Sequence, residues 1–231
     1  MVTVIIAAKD CEKWLQLTID SLLAQSYEDW ECLISVNGST DLTLDIASSI
    51  NDVRFRTICS EIPNKSLALN RAIIKSKRDL ICILDADDLW HKEKLEKQIC
   101  SMNLCSVDIL GTQMTYINAN GEFLHQAPVL PITHDECIDW LNSHNNPIAN
   151  SSVIYNRTIH DKIGYYDPEK FAVEDYDMWM RSKRAGLKFK NLDVCLMSHR
   201  LHQRSHFNSS AKQHVSKRLV DEIDYFHTRM V

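Results

Sequence analysis

The sequence predicts an α/β protein built on a mostly parallel, twisted sheet with helices on both faces. Short β-branched or apolar runs alternate with helical patterns over about the first 110 residues, which favours parallel strands joined by crossover helices. The run at residues 80–84 is apolar throughout, as expected of a strand that is buried on both faces. The chain of 231 residues is 45% hydrophobic and 25% charged, a composition typical of a globular protein with a sizeable core.

The first half of the chain supplies four predicted strands and three predicted helices. The strands are residues 2–8, 30–36, 53–59 and 80–84, and the helices are residues 11–25, 42–50 and 66–76. The first helix carries its apolar side chains on one face: Trp14, Leu15, Ile19, Leu22 and Leu23. Because parallel strands end at the same edge of a sheet, the loops at residues 7–10, 36–41 and 85–88 should converge on a ligand site.

The second half predicts a smaller, mixed region. Residues 107–117 and the turn at 118–121 indicate a hairpin, and residues 150–155 a short strand. A helix over 173–185 should end at Gly186, followed by a strand over 187–196. A final helix is expected from the apolar side chains Val215, Leu219, Ile223 and Phe226. No linker separates the halves, so we expect one domain over residues 1–231.

Composition excludes several classes of protein. The five glycines lie far apart, so the glycine-rich dinucleotide and phosphate-loop motifs are absent. With a net charge of −5, we expect no nucleic-acid partner. No apolar stretch approaches the roughly 20 residues of a membrane span, which predicts a cytoplasmic protein with at most peripheral membrane contact. Residues 151–231 hold 14 basic against 10 acidic residues, which suits either an anionic partner or a solvated face.

The eight cysteines are scattered, without a C-x-x-C pair, and are interpreted as reduced core thiols. A zinc site at Cys100 and Cys105 would lack a second matched pair. The histidines at 199, 202, 206 and 214 are irregularly spaced, so a solvated loop and a donor-closing role for His202 both stay open.

The strongest local signal is the acidic run Asp85-Ala86-Asp87-Asp88 directly after the apolar strand. Three adjacent carboxylates repel one another unless a cation lies among them. Mg²⁺ and Mn²⁺ prefer such oxygen ligands together with substrate phosphates. The alternative is a cluster that caps the helix after Trp90.

A second acidic group, Glu174-Asp175, opens the helix that carries Trp179. A carboxylate in a cleft at a helix start can act as a general base for a hydroxyl group. The alternative is a charged first turn that the helix dipole favours.

Eight segments in register resemble the family 2 glycosyltransferases of GT-A fold, over nearly the whole chain. They are residues 3–10, 21–31, 37–41, 68–71, 83–90, 150–153, 174–179 and 200–202. The resemblance implies an inverting enzyme that uses Mn²⁺ or Mg²⁺ to move a sugar from a nucleoside-diphosphate sugar to a hydroxyl group. The acceptor would be a saccharide, a lipid-linked molecule or a protein, in glycan or polysaccharide synthesis. A homodimer is compatible with this expectation.

The resemblance also implies roles for individual residues. Residues 1–117 would bind the nucleotide sugar, and residues 118–231 would supply the acceptor side, the catalytic base and the C-terminal helix. Asp175 matches the catalytic base and Glu174 its acidic neighbour. The donor would lie on Ala7, Ala8, Asp10, Asn37, Asn70, Asp85 and Ala86. Asp87, Asp88 and His202 would hold the metal, and Trp90, Asn150, Ser151 and Trp179 would contact the acceptor.

The chain departs from the family pattern in three places: Ala7 stands where a proline is common, Arg78 where a glycine is usual, and Val36-Asn37 where the family often reads Asp-Asp or Asp-Asn. Uracil therefore cannot be assumed over thymine or guanine. Two alternatives to an active transferase remain. One is a catalytically silent, GT-A-like nucleotide- or glycan-binding subunit. The other is a sugar-phosphate nucleotidyltransferase, for which residues 7–12 lack the glycine-rich basic loop.

Overall fold

A nine-stranded mixed sheet forms the centre of the protein in the computed structural model, which describes residues 1–203. The strands are β1 (Val2–Ala8), β2 (Trp30–Asn37), β3 (Phe55–Ser60), β4 (Leu80–Ile83), β5 (Leu89–Trp90), β6 (Ile109–Ile117), β7 (Phe123–Gln126), β8 (Ile154–Asn156) and β9 (Phe189–Arg200). Their order is β3-β2-β1-β4-β8-β6-β9-β5, and β7 pairs with β6. Strands β1 to β4 are parallel, whereas β8 runs antiparallel to both β4 and β6. The expected mostly parallel α/β fold is confirmed.

The first-half helices are α1 (Leu15–Leu23), α2 (Thr43–Ser48) and α3 (Lys65–Lys75). All three lie within or close to the ranges that the sequence predicts. Helix α3 begins after Asn64, whose side-chain oxygen accepts a hydrogen bond of 2.9 Å from the backbone N–H of Leu67. This cap fixes the first residue of the helix, Lys65, at the carboxyl edge of the sheet.

The second half contains α4 (Lys94–Leu104), α5 (His134–Asn142), α6 (Ile159–Ile163) and α7 (Glu174–Arg184). The hairpin of β6 and β7 is confirmed, and Gly186, where φ is +70°, closes α7 as expected, although the C-cap residue itself is Ala185. The expected strand over 150–155 is wrong at its start, because Asn150–Ser152 form a 3-10 turn before β8. The predicted end at residue 196 is also wrong, since β9 continues beside β6 as far as Arg200.

Apolar side chains cover both faces of the sheet. Neighbouring residues of β1 illustrate this, because Ile5 packs into one core cluster and Ile6 into the other. The Ile5 cluster includes Tyr155 and Trp179, and the Ile6 cluster includes Trp90. Helices therefore lie on both faces, and the polar loops are left at the strand ends.

All eight cysteines are free thiols, but Cys59 and Cys100 are exposed and are not core residues. No helix within residues 1–203 is long and apolar enough to cross a membrane. The predicted final helix and the histidines at 206 and 214 lie outside the described residues.

Candidate active site

The three loops at the carboxyl ends of β1, β2 and β4 converge, as expected. The backbone N–H of Asp10 donates to Ser39 Oγ (3.2 Å), and the carboxylate of Asp10 accepts from the backbone N–H of Thr40 (2.9 Å). The hydroxyl of Thr18 donates to the backbone oxygens of Ala86 and Asp88 at 3.0 and 2.9 Å. Hydrogen bonds thus join the β1 and β2 loops directly, and Thr18 of α1 attaches the β4 loop to the same edge of the sheet.

The donor residues expected on this rim differ in exposure. Ala7 and Asp10 are partly exposed, whereas the side chains of Ala8, Asn37 and Ala86 are buried. Asn70 is committed to the protein itself, because its amide nitrogen donates to Tyr166 O (2.8 Å) and its amide oxygen accepts from Tyr166 N (3.0 Å). Asn70 therefore fixes the loop that precedes α7.

Each aspartate of the Asp85–Asp88 run faces a basic side chain of its own. Asp85 Oδ1 lies 2.9 Å from Lys65 Nζ, and Asp87 Oδ2 lies 2.7 Å from His202 Nε2. Asp88 Oδ1 lies 3.2 Å from His199 Nδ1 and accepts from the backbone N–H of Arg200 at 2.9 Å. The capping alternative is wrong, because Glu93 occupies the cap position of α4 and makes no side-chain cap bond.

The environments of Asp87 and Asp88 separate their roles. The side chain of Asp87 is 24% exposed, whereas that of Asp88 is 0% exposed and bound within the protein. Burial raises the pKa of Asp88, and Asp87 adds to that rise. Burial opposes ionisation of Asp87 as well, but the hydrogen bond from His202 and the charge of His199 leave its pKa lowered. Asp88 is thus a structural carboxylate.

Arg200 connects this acidic loop to the β6–β7 hairpin. Its guanidinium donates from Nε to the backbone oxygen of Asp87 (2.7 Å) and from Nη1 to that of Asn118 (3.1 Å), and its side chain is fully buried. The motif at residues 200–202 had identified the segment, but only the fold shows that Arg200 supports Asp87.

Helix α7 presents the second pair of carboxylates at its first turn. Asp175 Oδ2 accepts a hydrogen bond of 2.7 Å from the side-chain amide of Asn146, and Glu174 Oε1 lies 3.4 Å from Lys65 Nζ. Burial, and then the neighbouring charge of Glu174, raise the pKa of Asp175 to about 6. A carboxylate poised near neutral pH suits a general base.

Lys65 joins the two acidic groups, because its ammonium contacts both Asp85 and Glu174. Sequence reasoning missed Lys65 and Asn146, which lie far along the chain from their partners. A lysine after a helix cap and an asparagine in a loop give no local signal of a role in the site.

The residues expected to contact the acceptor are mostly buried in the structure. Trp179 is 0% exposed and belongs to the core, so a sugar cannot stack on it. Trp90 is also buried, and its indole N–H donates to Ser151 O at 2.8 Å. Ser151 Oγ accepts from the backbone N–H of Asp85 at 3.1 Å. The expected acceptor contacts are therefore corrected: Trp90 and Ser151 support the Asp85–Asp88 loop, and Trp179 is a core residue.

Asn150 is 9% exposed, and neither polar atom of its side chain has a hydrogen-bond partner within the described residues. Because both atoms are also closed to solvent, the structure does not present them to a ligand.

The fit of a divalent cation can be tested on the donor atoms present. Asp87 and His202 offer a carboxylate oxygen and an imidazole nitrogen 2.7 Å apart. Residues 1–203 hold no cluster of three or more ligating side chains. Mg²⁺ is usually bound by one or two protein carboxylates together with substrate phosphates, so a sparse set of this kind fits a cation that arrives with a diphosphate. Asp88 does not fit as a third ligand, because its oxygens are buried and bonded.

The family model described as glycosyl transferase family 2 matches residues 3–164, and the chain belongs to that family. The O-antigen biosynthesis glycosyltransferase WbnJ of Escherichia coli is 32% identical, over 89% of this chain and 81% of the relative. The UDP-Glc:alpha-D-GlcNAc-diphosphoundecaprenol beta-1,3-glucosyltransferase WfaP of E. coli is 27% identical, over 87% of this chain and 78% of the relative.

Solved structures confirm the GT-A fold. TarS of S. aureus in complex with UDP-GlcNAc superposes with a TM-score of 0.76 at 20% identity, covering 96% of this chain and 66% of TarS. A mannosyltransferase of Pyrobaculum calidifontis in complex with GDP-Man and Mn²⁺ gives a TM-score of 0.67 at 16% identity, covering 88% of this chain and 58% of that structure. The chain thus spans about two thirds or less of these two solved chains.

Proposed function

We propose that this chain is an inverting, metal-dependent glycosyltransferase of polysaccharide assembly, which moves a sugar from a nucleoside-diphosphate sugar to a hydroxyl group of a lipid-linked saccharide. The observation that carries the proposal is the meeting of two acidic groups from distant parts of the chain. Asp85 and Glu174 share Lys65, and Asp175 lies beside them with a pKa raised to about 6 by burial and by Glu174.

In this proposal one half of the chain binds the donor and the other half supplies the base and the acceptor side. Residues 1–117 hold the donor on the rim at the ends of β1, β2 and β4, with Asp85 accepting hydrogen bonds from the donor. Residues 118–231 supply the base and the acceptor side. A membrane-bound acceptor would bring the enzyme to the cytoplasmic membrane surface as a peripheral protein.

Asp175 acts as the general base in a single displacement. Its carboxylate takes the proton of the acceptor hydroxyl while that oxygen forms a bond to the anomeric carbon. The bond from the anomeric carbon to the diphosphate breaks, and its electron pair leaves with the nucleoside diphosphate. One displacement from the opposite face inverts the anomeric configuration. Asn146 orients the base through its hydrogen bond to Asp175.

Asp87 and His202 would hold the divalent cation on the diphosphate. When bound, Mn²⁺ or Mg²⁺ neutralises the negative charge that develops on the leaving group. Asp88, His199 and Arg200 keep Asp87 in place from beneath.

A direct assay tests the proposal. The protein is incubated with UDP-glucose, UDP-GlcNAc, GDP-mannose or a dTDP-sugar, with and without Mn²⁺, and with α-D-GlcNAc-diphosphoundecaprenol as acceptor. We expect metal-dependent transfer, with a product whose anomeric configuration, measured by NMR, is opposite to that of the donor. Binding of a nucleotide without transfer or donor hydrolysis, for every donor, would favour the silent subunit instead.

A further inference from the structure

Lys65 is the first residue of α3, and the local structure fixes its backbone. The Asn64 side chain caps the helix through Leu67 N and also donates to the backbone oxygen of Pro168 at 3.0 Å. The start of α3 is therefore attached to the loop that leads into α7. This places the Lys65 side chain, 30% exposed, between the end of β4 and the start of α7.

The ammonium group contacts a carboxylate on each side. Lys65 Nζ lies 2.9 Å from Asp85 Oδ1 and 3.4 Å from Glu174 Oε1. Burial alone would lower the pKa of Lys65, but Asp85 and Glu174 outweigh burial and raise it, so the side chain stays charged. A single positive charge thus contacts one carboxylate in the loop after β4 and one at the start of α7.

We infer that Lys65 is a positioning residue for the transfer reaction: its ammonium ties donor-side Asp85 to Glu174 and keeps the neighbouring base, Asp175, ionised. This inference rests on the proposed function. Without the lysine, three carboxylates would lie together in a partly buried pocket, where both burial and mutual repulsion favour the protonated form. A protonated Asp175 cannot accept the proton of an acceptor hydroxyl.

The groups that face Asp175 come from several elements. Glu174 precedes it on α7 and raises its pKa, whereas Lys65 on α3 lowers it. The side-chain amide of Asn146 and the backbone N–H of Tyr176 also favour the carboxylate. Tyr166, in the preceding loop, stays neutral because burial and then Asp175 raise its pKa. Of these groups, Lys65 is the one whose positive charge offsets Glu174.

The experiment compares the wild type with Lys65→Met, Lys65→Arg and a control, Lys75→Met, which removes an exposed lysine at the other end of the same helix. Proteins labelled with ¹³C at the aspartate carboxyl carbons are titrated by NMR without any donor. The Asp175 signal is assigned by its loss in Asp175→Asn. The pH dependence of kcat and KM is then measured with whichever donor and acceptor are active in the transfer assay.

For Lys65→Met we expect the Asp175 titration and the acidic limb of kcat to move upward by about one pH unit. That shift corresponds to about a tenfold deficit below pH 6, which disappears above pH 8. Lys65→Arg, which keeps the charge, and Lys75→Met should both titrate like the wild type.

The inference is overturned if the titration midpoint of Asp175 in Lys65→Met lies within about 0.3 pH units of the wild-type midpoint, a small fraction of the shift expected from one removed charge. This holds even if the variant is less thermostable. If Lys65→Met does not fold, the Lys65→Arg variant decides. A titration midpoint of Asp175 in Lys65→Arg that differs from the wild-type midpoint overturns the inference as well. The NMR titration needs no turnover, so an inactive wild type would contradict the proposed function and leave the titration result to decide the role of Lys65.

Discussion

Trp14 stacks on the imidazole ring of His202, with ring centroids 3.9 Å apart and an interplanar angle of 29°. The indole N–H of Trp14 donates to the backbone oxygen of Ala119 at 3.0 Å, so the hairpin fixes the indole in turn. His202 is thereby held with Nε2 at Asp87. The sequence placed Trp14 on the apolar face of a helix, but the side chain is only half-buried and supports the proposed metal site.

Replacement of Trp14 by alanine should therefore weaken Mn²⁺ binding. Residues that orient a metal ligand are worth about 10- to 100-fold in metal affinity, and we expect a loss near the lower end, about tenfold. Titration of Mn²⁺ in the presence of UDP, followed by electron paramagnetic resonance, measures the affinity. Trp140→Ala, which removes a half-buried tryptophan of α5, is the control. Equal affinities for the two variants would contradict the positioning role of Trp14.

Asp175→Asn should lower kcat by about 10²- to 10⁴-fold while donor binding persists, because general-base catalysis contributes about that much. The melting temperature should not fall, since the change removes a negative charge next to Glu174. Turnover in the transfer assay and thermal unfolding are the two measurements. Asp161→Asn, an exposed acid of α6, is the matched control. Full activity of Asp175→Asn would show that another group removes the proton.

Wild-type kcat should fall as pH drops below about 6. Burial and Glu174 raise the pKa of Asp175 to about 6, and only the ionised form can accept a proton. Activity is thus present above this pKa and lost below it. Glu174→Gln removes the repelling charge, so its acidic limb should lie at lower pH than that of the wild type. The pH dependence of kcat is measured in buffers of constant ionic strength. An acidic limb that moves to higher pH in Glu174→Gln would refute the assignment of this limb to Asp175.

Asp87 and Asp88 should respond differently to alanine. Asp88→Ala leaves His199 and the Arg200 N–H in the protein interior without their carboxylate, and breaking a buried ion pair costs about 3–5 kcal/mol. We expect a large loss in the free energy of unfolding, measured by urea denaturation. For Asp87→Ala the free energy of unfolding should lie within about 1 kcal/mol of the wild-type value, since the Asp87 side chain is partly exposed. This variant should instead lose Mn²⁺ binding. The reverse pattern would exchange the roles of the two aspartates.

Lys94 predicts a pH dependence of stability. Its side chain is fully buried over the ring of Trp90, with Nζ 3.7 Å from the ring centroid, and burial lowers its pKa to about 8. The folded state therefore resists protonation more than the unfolded state does, so stability should rise as pH increases from about 8 towards 10.4, the ordinary pKa of lysine. Relative to Lys94→Met, the wild type should gain on the order of 2 kcal/mol over this range. Parallel pH curves for the two proteins in urea denaturation would contradict this.

The sequence by itself determined the alternation of strands and helices, the edge of the sheet at which the loops meet, and the two acidic groups. These follow from local patterns, because apolar periodicity fixes which face of an element is buried and parallel strands share a carboxyl edge. The roles within each group were not local. Asp87 and Asp88 are adjacent and chemically identical, and only the extension of β9 to Arg200 buries one and leaves the other open.

Tertiary structure also decided the partners of these carboxylates. Lys65, Asn146 and Trp14 reach the site from three separate segments of the chain, and no spacing in the sequence records that approach. Trp179 lies close to Asp175 along the chain, yet the turn of α7 directs its ring into the core. The physical reason is that charge and burial at a site depend on distance in space, whereas a sequence pattern reports only what one element buries along its own length.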